Sequence, residues 1–331
     1  MLDGKSILVT GGTGSFGRAF IRMIVKRHRP KRLVVYSRDE LKQYEMQQDG
    51  EAFSAPFMRY FIGDVRDGDR LEMAMRDIDY VVHAAALKQV PAAEYNPLEC
   101  IHTNVIGAEN VVHAAIRTGI EKVISLSTDK AVSPINLYGA SKLAADKVFV
   151  AANNLSGADG PRFSLVRYGN VLGSRGSVVQ HFRKLVRENA STLPITDARM
   201  TRFWITLEQG AEFVLSSLEM MRGGEIFIPK IPSMKIVDLA SCIGPGIDHE
   251  IVGIRPGEKL HETLITEYDA PTTHELDDRY VVGPSFKNWT TERLAGEDGL
   301  LVPEEFFYSS EANTNWLSAS ELQGLLAGLP Y

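Results

Sequence analysis

Apolar runs alternating with amphipathic stretches through the first half of the chain predict an α/β fold, a doubly wound parallel sheet with helices on both faces. Two further observations support that class. A glycine-rich turn closes the first apolar run, and the rhythm weakens after about Gly173 into short strands, prolines and scattered helices. The expected division is 1–172 for a sheet domain carrying the reactive residues and 173–331 for a smaller, irregular C-terminal substrate-binding lobe. The boundary is soft, and segments of the lobe are allowed to return to the sheet.

The elements follow in order. "SILVTG" (Ser6 to Gly11) is a short apolar strand ending in glycine, and Ser15 to His28 carries Phe16, Phe20, Met23 and Ile24 at helical spacing. "RLVVYS" (Arg32 to Ser37) is the second strand. Met58 to Asp64, Asp79 to Ala86, Lys122 to Thr128 and Arg162 to Asn170 read as the third to sixth strands. Near the end, Ser318 and Glu321 have capping-box spacing ahead of Leu322, Leu325 and Leu326, which predicts a final packed helix.

Composition bounds the function. The 331 residues are 44% hydrophobic and 24% charged, the balance of a soluble globular protein. A formal net charge of -6 argues against nucleic acid or an anionic membrane as the main partner. Cys100 and Cys242 have no metal-type spacing and read as reduced thiols in a cytoplasmic protein. "MLDGKSILVTGG" has no secretory pattern, and no run of eighteen apolar residues predicts membrane insertion.

"VTGGTGSFG" (Val9 to Gly17) joins the first strand to the first helix with the spacing Gly11-x-x-Gly14-x-x-Gly17. Glycines so placed allow a tight turn, close backbone approach to a pyrophosphate and close helix–strand packing, the Rossmann-type arrangement. Alone the motif is only a tight turn; at the head of a βαβ unit it predicts a dinucleotide site. Thr10, Gly11, Gly14, Ser15, Phe16 and Gly17 are its candidate contacts. After the second strand, Ser37, Arg38 and Lys42 offer a hydroxyl and two cations, which favours a 2′-phosphate and hence NADP. Asp39 keeps NAD open. Asp64 and Val65, closing the third strand, suit an adenine. Ala84 and Ala86 in "HAAA" let the cofactor pass, and Val171 after the sixth strand completes the set. His83 reads as a satisfied strand histidine rather than a catalyst.

Tyr138 and Lys142 are four apart and share one helix face. A nearby ammonium and an oxidised nicotinamide both favour phenolate, so the expected Tyr pKa is lowered and the phenolate takes a hydroxyl proton. In isolation such a pair is an exposed helix face; after "SLST" and beside the glycine motif it is a reacting centre, with both residues also against the cofactor.

These features together resemble the extended short-chain dehydrogenase/reductase superfamily. Within it, "AAALKQVPAAEYNP", "STDKAVSPINLYGASK", "MTRFWIT", "IPSMKI" and "GIRPGEKLHE" resemble UDP-N-acetylglucosamine 4,6-dehydratases, above all the soluble C5-inverting enzymes of pseudaminic acid biosynthesis, which serve flagellin and surface glycans. The resemblance covers almost the whole chain, including "YSSEANTNWLS". It implies oxidation at C4 by tightly bound NADP, removal of the C5 proton, loss of the C6 hydroxyl, and return of the parked hydrogen to C6. It also implies a homo-oligomer and a UDP-sugar as substrate.

In that scheme Tyr138 is the C4 base, braced by Lys142. Asp129 is the candidate acid for the leaving hydroxyl and Lys130 the candidate C5 base. An adjacent ion pair would push both the wrong way. The expectation is that the two side chains diverge along an extended segment, and that Lys142 and a cationic nicotinamide depress Lys130. Arg202, Arg255 and Lys259 lie where a nucleotide-sugar would cross from the sheet. The resemblance points to Arg255 and Glu258 as nucleotide ligands, to Asn170 near the phosphates, and to Lys88 and Tyr95 near the sugar. A solvated surface pair is the plain alternative for any of these. Two rival readings remain. A nucleotide-sugar 4-epimerase needs Tyr138 and Lys142 but neither Asp129 nor Lys130. A non-catalytic NADP-binding sensor would be expected to lose the Tyr–Lys pair.

Overall fold

The computed structural model describes residues 1–284 and 299–328. Six parallel strands build the centre of the large sheet: β1 (Ser6–Thr10), β2 (Arg32–Ser37), β3 (Met58–Ile62), β4 (Tyr80–His83), β5 (Lys122–Leu126) and β6 (Arg162–Val166). They run in the spatial order β3-β2-β1-β4-β5-β6. The order reverses between β1 and β4, which leaves a crevice at the carboxyl ends of the strands. Beyond β6 the sheet is extended by Ile226–Pro229, parallel to it, and then by the antiparallel strands Arg279–Val282, Thr273–Glu275 and Leu300–Leu301. Four strands of this sheet therefore come from beyond residue 173.

Seven helices accompany the first six strands: α1 (Ser15–Arg27), α2 (Glu40–Gln48), α3 (Gly68–Ala74), α4 (Val90–Tyr95), α5 (Pro97–Ile101), α6 (Gly107–Thr118) and α7 (Leu137–Leu155). Alternation along each strand divides the core into two layers. Ile7, Val9, Leu33 and Val35 pack with Phe20, Ile21 and Ile24 of α1 on one face. Leu8, Val34, Tyr36 and Val81 pack with Leu71 of α3, Val111 of α6 and Phe149 of α7 on the other. Each such fully buried aliphatic contributes about 1.5–3 kcal/mol of transfer free energy. A third cluster, with Phe182, Trp204, Leu239, Leu322 and Leu326, lies within the C-terminal half. The final helix, Ala319–Ala327, carries the expected capping box between Ser318 and Glu321.

Several strands stop earlier than their apolar runs. β4 ends at His83 and β5 at Leu126, so Ala84–Ala86 and Ser127–Thr128 are freed at the crevice. β6 ends at Val166, and Asn170–Val171 instead forms a short strand against Trp204–Ile205. The predicted sixth strand thus splits in two, and its second part feeds the pocket rather than the sheet.

His83 is a structural histidine. It faces Thr10 across β1 and β4, with Thr10 Oγ1 2.8 Å from its Nδ1, and its ring packs beside Phe149. Burial, aided by Lys142, pulls its pKa from 6.5 down to about 3. The unfolded chain then binds a proton below pH 6.5 that the native chain refuses, so this contribution is full above pH 6.5 and is lost as pH falls towards 3. We expect the stability advantage over His83→Gln to narrow by ~2 kcal/mol between pH 7 and pH 5, read by denaturant unfolding. A difference that stays constant over that range contradicts a neutral buried imidazole.

Candidate active site

One cavity of about 810 Å³ runs along the crevice from the glycine turn to the C-terminal half. Its floor begins at Gly11, Gly14, Ser15, Phe16 and Gly17. Gly11 has φ 64°, and a Cβ there would lie 2.9 Å from the Ala85 backbone. A Cβ on Gly17 would collide with the Gly12 backbone. Both positions therefore admit only glycine without movement, and the turn they shape leaves room at the start of α1 for a pyrophosphate. Thr10 departs from expectation. Its side chain is fully buried, holding His83 and the amides of Ala84 and Ala85, so it supports the turn rather than lining the cavity.

Farther along, Ser37, Arg38 and Lys42 line one end, with Asp64, Val65, Ala84 and Ala86 beside them. Both cations already have partners. Lys42 Nζ lies 2.5 Å from Asp39 Oδ2, with Asp39 capping α2, and Arg38 lies 3.6 Å from Asp64. Although burial opposes it, Asp64 stays below its ordinary value through hydrogen bonds and charge from Arg66, with Arg38 adding to them. Sequence reasoning missed Arg175, which reaches from the other half to donate to the Thr13 carbonyl at 2.6 Å. The residues present fit a dinucleotide: a glycine cradle that a Cβ would fill, small residues after β4, and cations at the far end.

At the other end lie Thr128, Lys130, Tyr138 and Lys142. Asn136 caps α7 by accepting from the Gly139 amide, which starts the helix just before Tyr138. The turn Asp129–Ala131 packs on the first turn of α7 at Gly139, where a Cβ would overlap the Lys130 carbonyl oxygen. Because Asp129–Ala131 is a tight helical turn and not an extended segment, the side chains of Asp129 and Lys130 do not diverge. Lys130 Nζ lies 3.0 Å from Asp129 Oδ1, which also accepts from the Thr128 hydroxyl at 2.9 Å. Asp129 is fully buried behind the cavity wall, and its Oδ2 has no hydrogen-bond partner.

The electrostatics differ from the sequence expectation at two residues. Burial alone would lower Lys130, but the carboxylates of Asp129 and Glu262 override it and hold the ammonium above its ordinary value. Lys142 is not the neighbour that governs it. Tyr138 is not lowered either: burial pushes its phenol up to about 12, against a smaller downward pull from Lys130 and the Thr128 hydroxyl. Lys142 is itself lowered by burial, partly offset by Asp146.

Glu262 was overlooked although it lies in the quoted "GEKLHE". It is 2% exposed, lines the cavity, and sits 3.5 Å from Lys130, 3.8 Å from Lys259 and 3.9 Å from Arg202. Burial raises its pKa despite these cations, with Asp129 adding to the rise. Arg202 is anchored by the carbonyls of Thr201, Lys259 and Leu260. Lys88, Asn170, Val171, Arg255 and Glu258 line the same cavity. Tyr95 does not: it ends α4 with 87% of its surface exposed and is not part of the cavity lining.

A dinucleotide groove ending at a Tyr–Lys helix is the arrangement of an extended short-chain dehydrogenase/reductase. Residues 7–284 match the family described as polysaccharide biosynthesis protein, and the chain belongs to that family. It is 56% identical over 327 residues to a UDP-N-acetylglucosamine 4,6-dehydratase (inverting) of Campylobacter jejuni subsp. jejuni serotype O:2, covering 97% of each chain. A UDP-glucose 4-epimerase of Rickettsia bellii is 38% identical, covering 100% of this chain and 98% of the relative. Among solved structures, Pen from Bacillus thuringiensis superposes with a TM-score of 0.89 at 35% identity, covering 99% of this chain and 98% of that one.

The contact between Gly139 and the Lys130 carbonyl gives a test of the geometry. Gly139→Ala forces the Asp129–Ala131 turn away from Tyr138. Displacements near 1 Å at a reacting centre cost on the order of 100-fold in rate. We expect kcat to fall by about that factor while dinucleotide affinity, measured by calorimetry, stays within about twofold. Unchanged kcat would show that the turn and α7 need not be in register.

Proposed function

We infer that the protein is an inverting UDP-N-acetylglucosamine 4,6-dehydratase that uses NADP. The observation that carries this reading is the junction of Tyr138 and Lys142 with a buried carboxylate–lysine turn on one cavity. The near full-length similarity to the Campylobacter enzyme of that name supports it. Ser37, Arg38 and Lys42 at the cavity's end support NADP over NAD, with Arg38 and Lys42 exchanging their carboxylate partners for a 2′-phosphate. No helix among the described residues is long and apolar enough to cross a membrane. The same reading makes the protein a cytoplasmic homo-oligomer and a hydro-lyase supplying pseudaminic acid biosynthesis.

The chemistry follows from the order of acidities. The C5 hydrogen of a hexose is not acidic until C4 is a ketone, so oxidation must precede elimination. Bound NADP supplies the acceptor for the C4 hydrogen and its return to C6. Tyr138 would take the C4 hydroxyl proton as a phenolate. Burial disfavours that form, but the charge of a bound oxidised nicotinamide would favour it, together with Lys130 and the Thr128 hydroxyl. Lys142 lies one helical turn away. Thr128 touches both Tyr138 and Asp129, so the proton gained at Tyr138 has a short path to Asp129. Asp129 then protonates the leaving C6 oxygen and Lys130 removes the C5 proton. Arg255 and Glu258 hold the nucleotide, Asn170 and Arg202 face the phosphates, and Lys88 lies on the sugar side.

The Rickettsia relative is named an epimerase, which keeps that second reading in view. An epimerase has work for Tyr138 and Lys142 only. Keeping Asp129 and Glu262 buried beside the partly buried Lys130 costs several kcal/mol of desolvation, a cost that brings nothing to epimerisation.

The purified protein, incubated with UDP-N-acetylglucosamine in heavy water without added nicotinamide, is expected to form a 4-keto-6-deoxy product with inverted C5 carrying deuterium. UDP-N-acetylgalactosamine as sole product would instead support the epimerase. Lys130→Ala should abolish C5 deuteration, by ~100-fold or more, with cofactor binding retained. Full dehydration by that variant would remove Lys130 from the role of base.

A further inference from the structure

A lysine whose ammonium is stabilised by its surroundings is a poor base. Something in the pocket must take its proton before it can act at C5. Resting on the dehydratase reading, we propose that Glu262 is the positioning residue that accepts this proton, converting the Lys130–Glu262 ion pair into a neutral amine beside a neutral carboxylic acid.

Three features of the pocket lead to Glu262. Its Oε1 faces Lys130 Nζ at 3.5 Å, and both side chains line the cavity. Its Oε2 is buried with no hydrogen-bond partner, although Lys259 Nζ lies 3.8 Å away. A carboxylate with an unsolvated oxygen loses little by becoming neutral, because the neutral acid has less need of partners. Asp129 has an unpartnered buried oxygen of its own, Oδ2, but it is already assigned the proton for the C6 oxygen, which leaves Glu262 to take the one from Lys130.

The charges around the pair favour the exchange. Asp129 and Glu262 both lie against Lys130, with Arg202 and Lys259 completing the cluster; Glu258 lies 3.6 Å from Arg202 at its edge. Burial raises the Glu262 pKa, and both Asp129 and its own desolvation keep it raised against the cations. Once Glu262 holds the proton and Asp129 carries the one received from C4, neither carboxylate charge that raises Lys130 remains. Arg202 still disfavours its charged form, so the amine stays neutral long enough to act.

The step is balanced and redox-neutral. The Lys130 N–H bond breaks and a Glu262 O–H bond forms. The freed nitrogen lone pair takes the C5 proton, the C5–H electron pair becomes the C5–C6 double bond, and the C6–O bond breaks with Asp129 supplying the proton that makes water. The pair then holds two protons and gives one up as the cycle closes and C5 regains its hydrogen.

The active arrangement has the same number of protons as the resting ion pair, so its population does not change with pH while the pair holds one proton. Removing Glu262 as a proton acceptor forces Lys130 to lose its proton to solvent, and the active fraction then rises tenfold per pH unit below the lysine pKa. The test follows C5 deuteration in heavy water by the NADP-loaded enzyme in single turnovers from pH 6 to 9. C4 oxidation is read separately as the absorbance of the reduced nicotinamide. Wild type should show a flat profile. Glu262→Gln should oxidise C4 within about threefold of wild type, lose ~100-fold in C5 deuteration near pH 7, and rise with pH at unit slope. Glu262→Asp, which can still hold a proton, should restore the flat profile at reduced rate. A flat profile in Glu262→Gln moves the role to another group and overturns the proposal, as does wild-type C5 deuteration. If Glu262→Gln loses cofactor binding, the Asp variant decides alone: a rising profile there overturns it. Wild type that fails to make the 4-keto-6-deoxy product defeats the dehydratase reading itself, a separate result.

Discussion

A lysine held between two carboxylates inside the pocket is the constraint on which the site depends. Lys130 lies 3.0 Å from Asp129 and 3.5 Å from Glu262, and both carboxylates are almost wholly buried. Such a cluster is expensive in isolation, because each ion gives up its hydration. The fold compensates by surrounding it with fixed partners. Arg202 is anchored through three carbonyls, and Lys259 donates to the Val132 carbonyl at 2.5 Å. Gly139 lets the Lys130 turn settle directly on α7, so Asp129, Lys130 and Tyr138 sit on one packed unit that Glu262, Arg202 and Lys259 meet from the C-terminal half. Under the proposed roles, the base at Lys130 is positioned by the same helix that carries Tyr138.

The sheet was legible in the sequence because burial on both faces leaves long apolar runs. The early ends of β4, β5 and β6 were not, since Ala84, Ser127 and Arg167, the residues just past them, are neither glycine nor proline and mark no break. The glycine turn was legible for a different reason: Gly11 and Gly17 are steric necessities, and their spacing records the turn directly. Tyr138 and Lys142 were legible from helical periodicity. Electrostatics was the opaque part. Local alternation suggested that Asp129 and Lys130 diverge, and only the tight turn brings them together. Glu262 comes from a segment without regular periodicity far along the chain, so no local pattern joins it to Lys130. Thr10 and Tyr95 show the same limit in reverse. Thr10 adjoins the cavity residue Gly11 but turns into the sheet to hold His83, and Tyr95, four residues past the cavity residue Pro91, is exposed on the surface.

In the proposed mechanism two reactions share this pocket, and their coupling accounts for its layout. Oxidation at C4 needs a phenolate, a dinucleotide and little else. Elimination needs an acid and a base a bond or two away, in a place where water does not compete. In that scheme the Asp129–Ala131 turn places the second set against the first, with the Thr128 hydroxyl donating to Asp129 and favouring the charged form of Tyr138. The chain thus reads as a dehydrogenase scaffold in which one buried ion cluster redirects the outcome.

The most direct measurement follows one hydrogen. UDP-N-acetylglucosamine carrying deuterium at C4 should yield a 4-keto-6-deoxy product whose C6 methyl group contains that deuterium, with none released to water. Deuterium retained at C4 of a UDP-N-acetylhexosamine would contradict the account, because the hydrogen would have left and returned without any elimination.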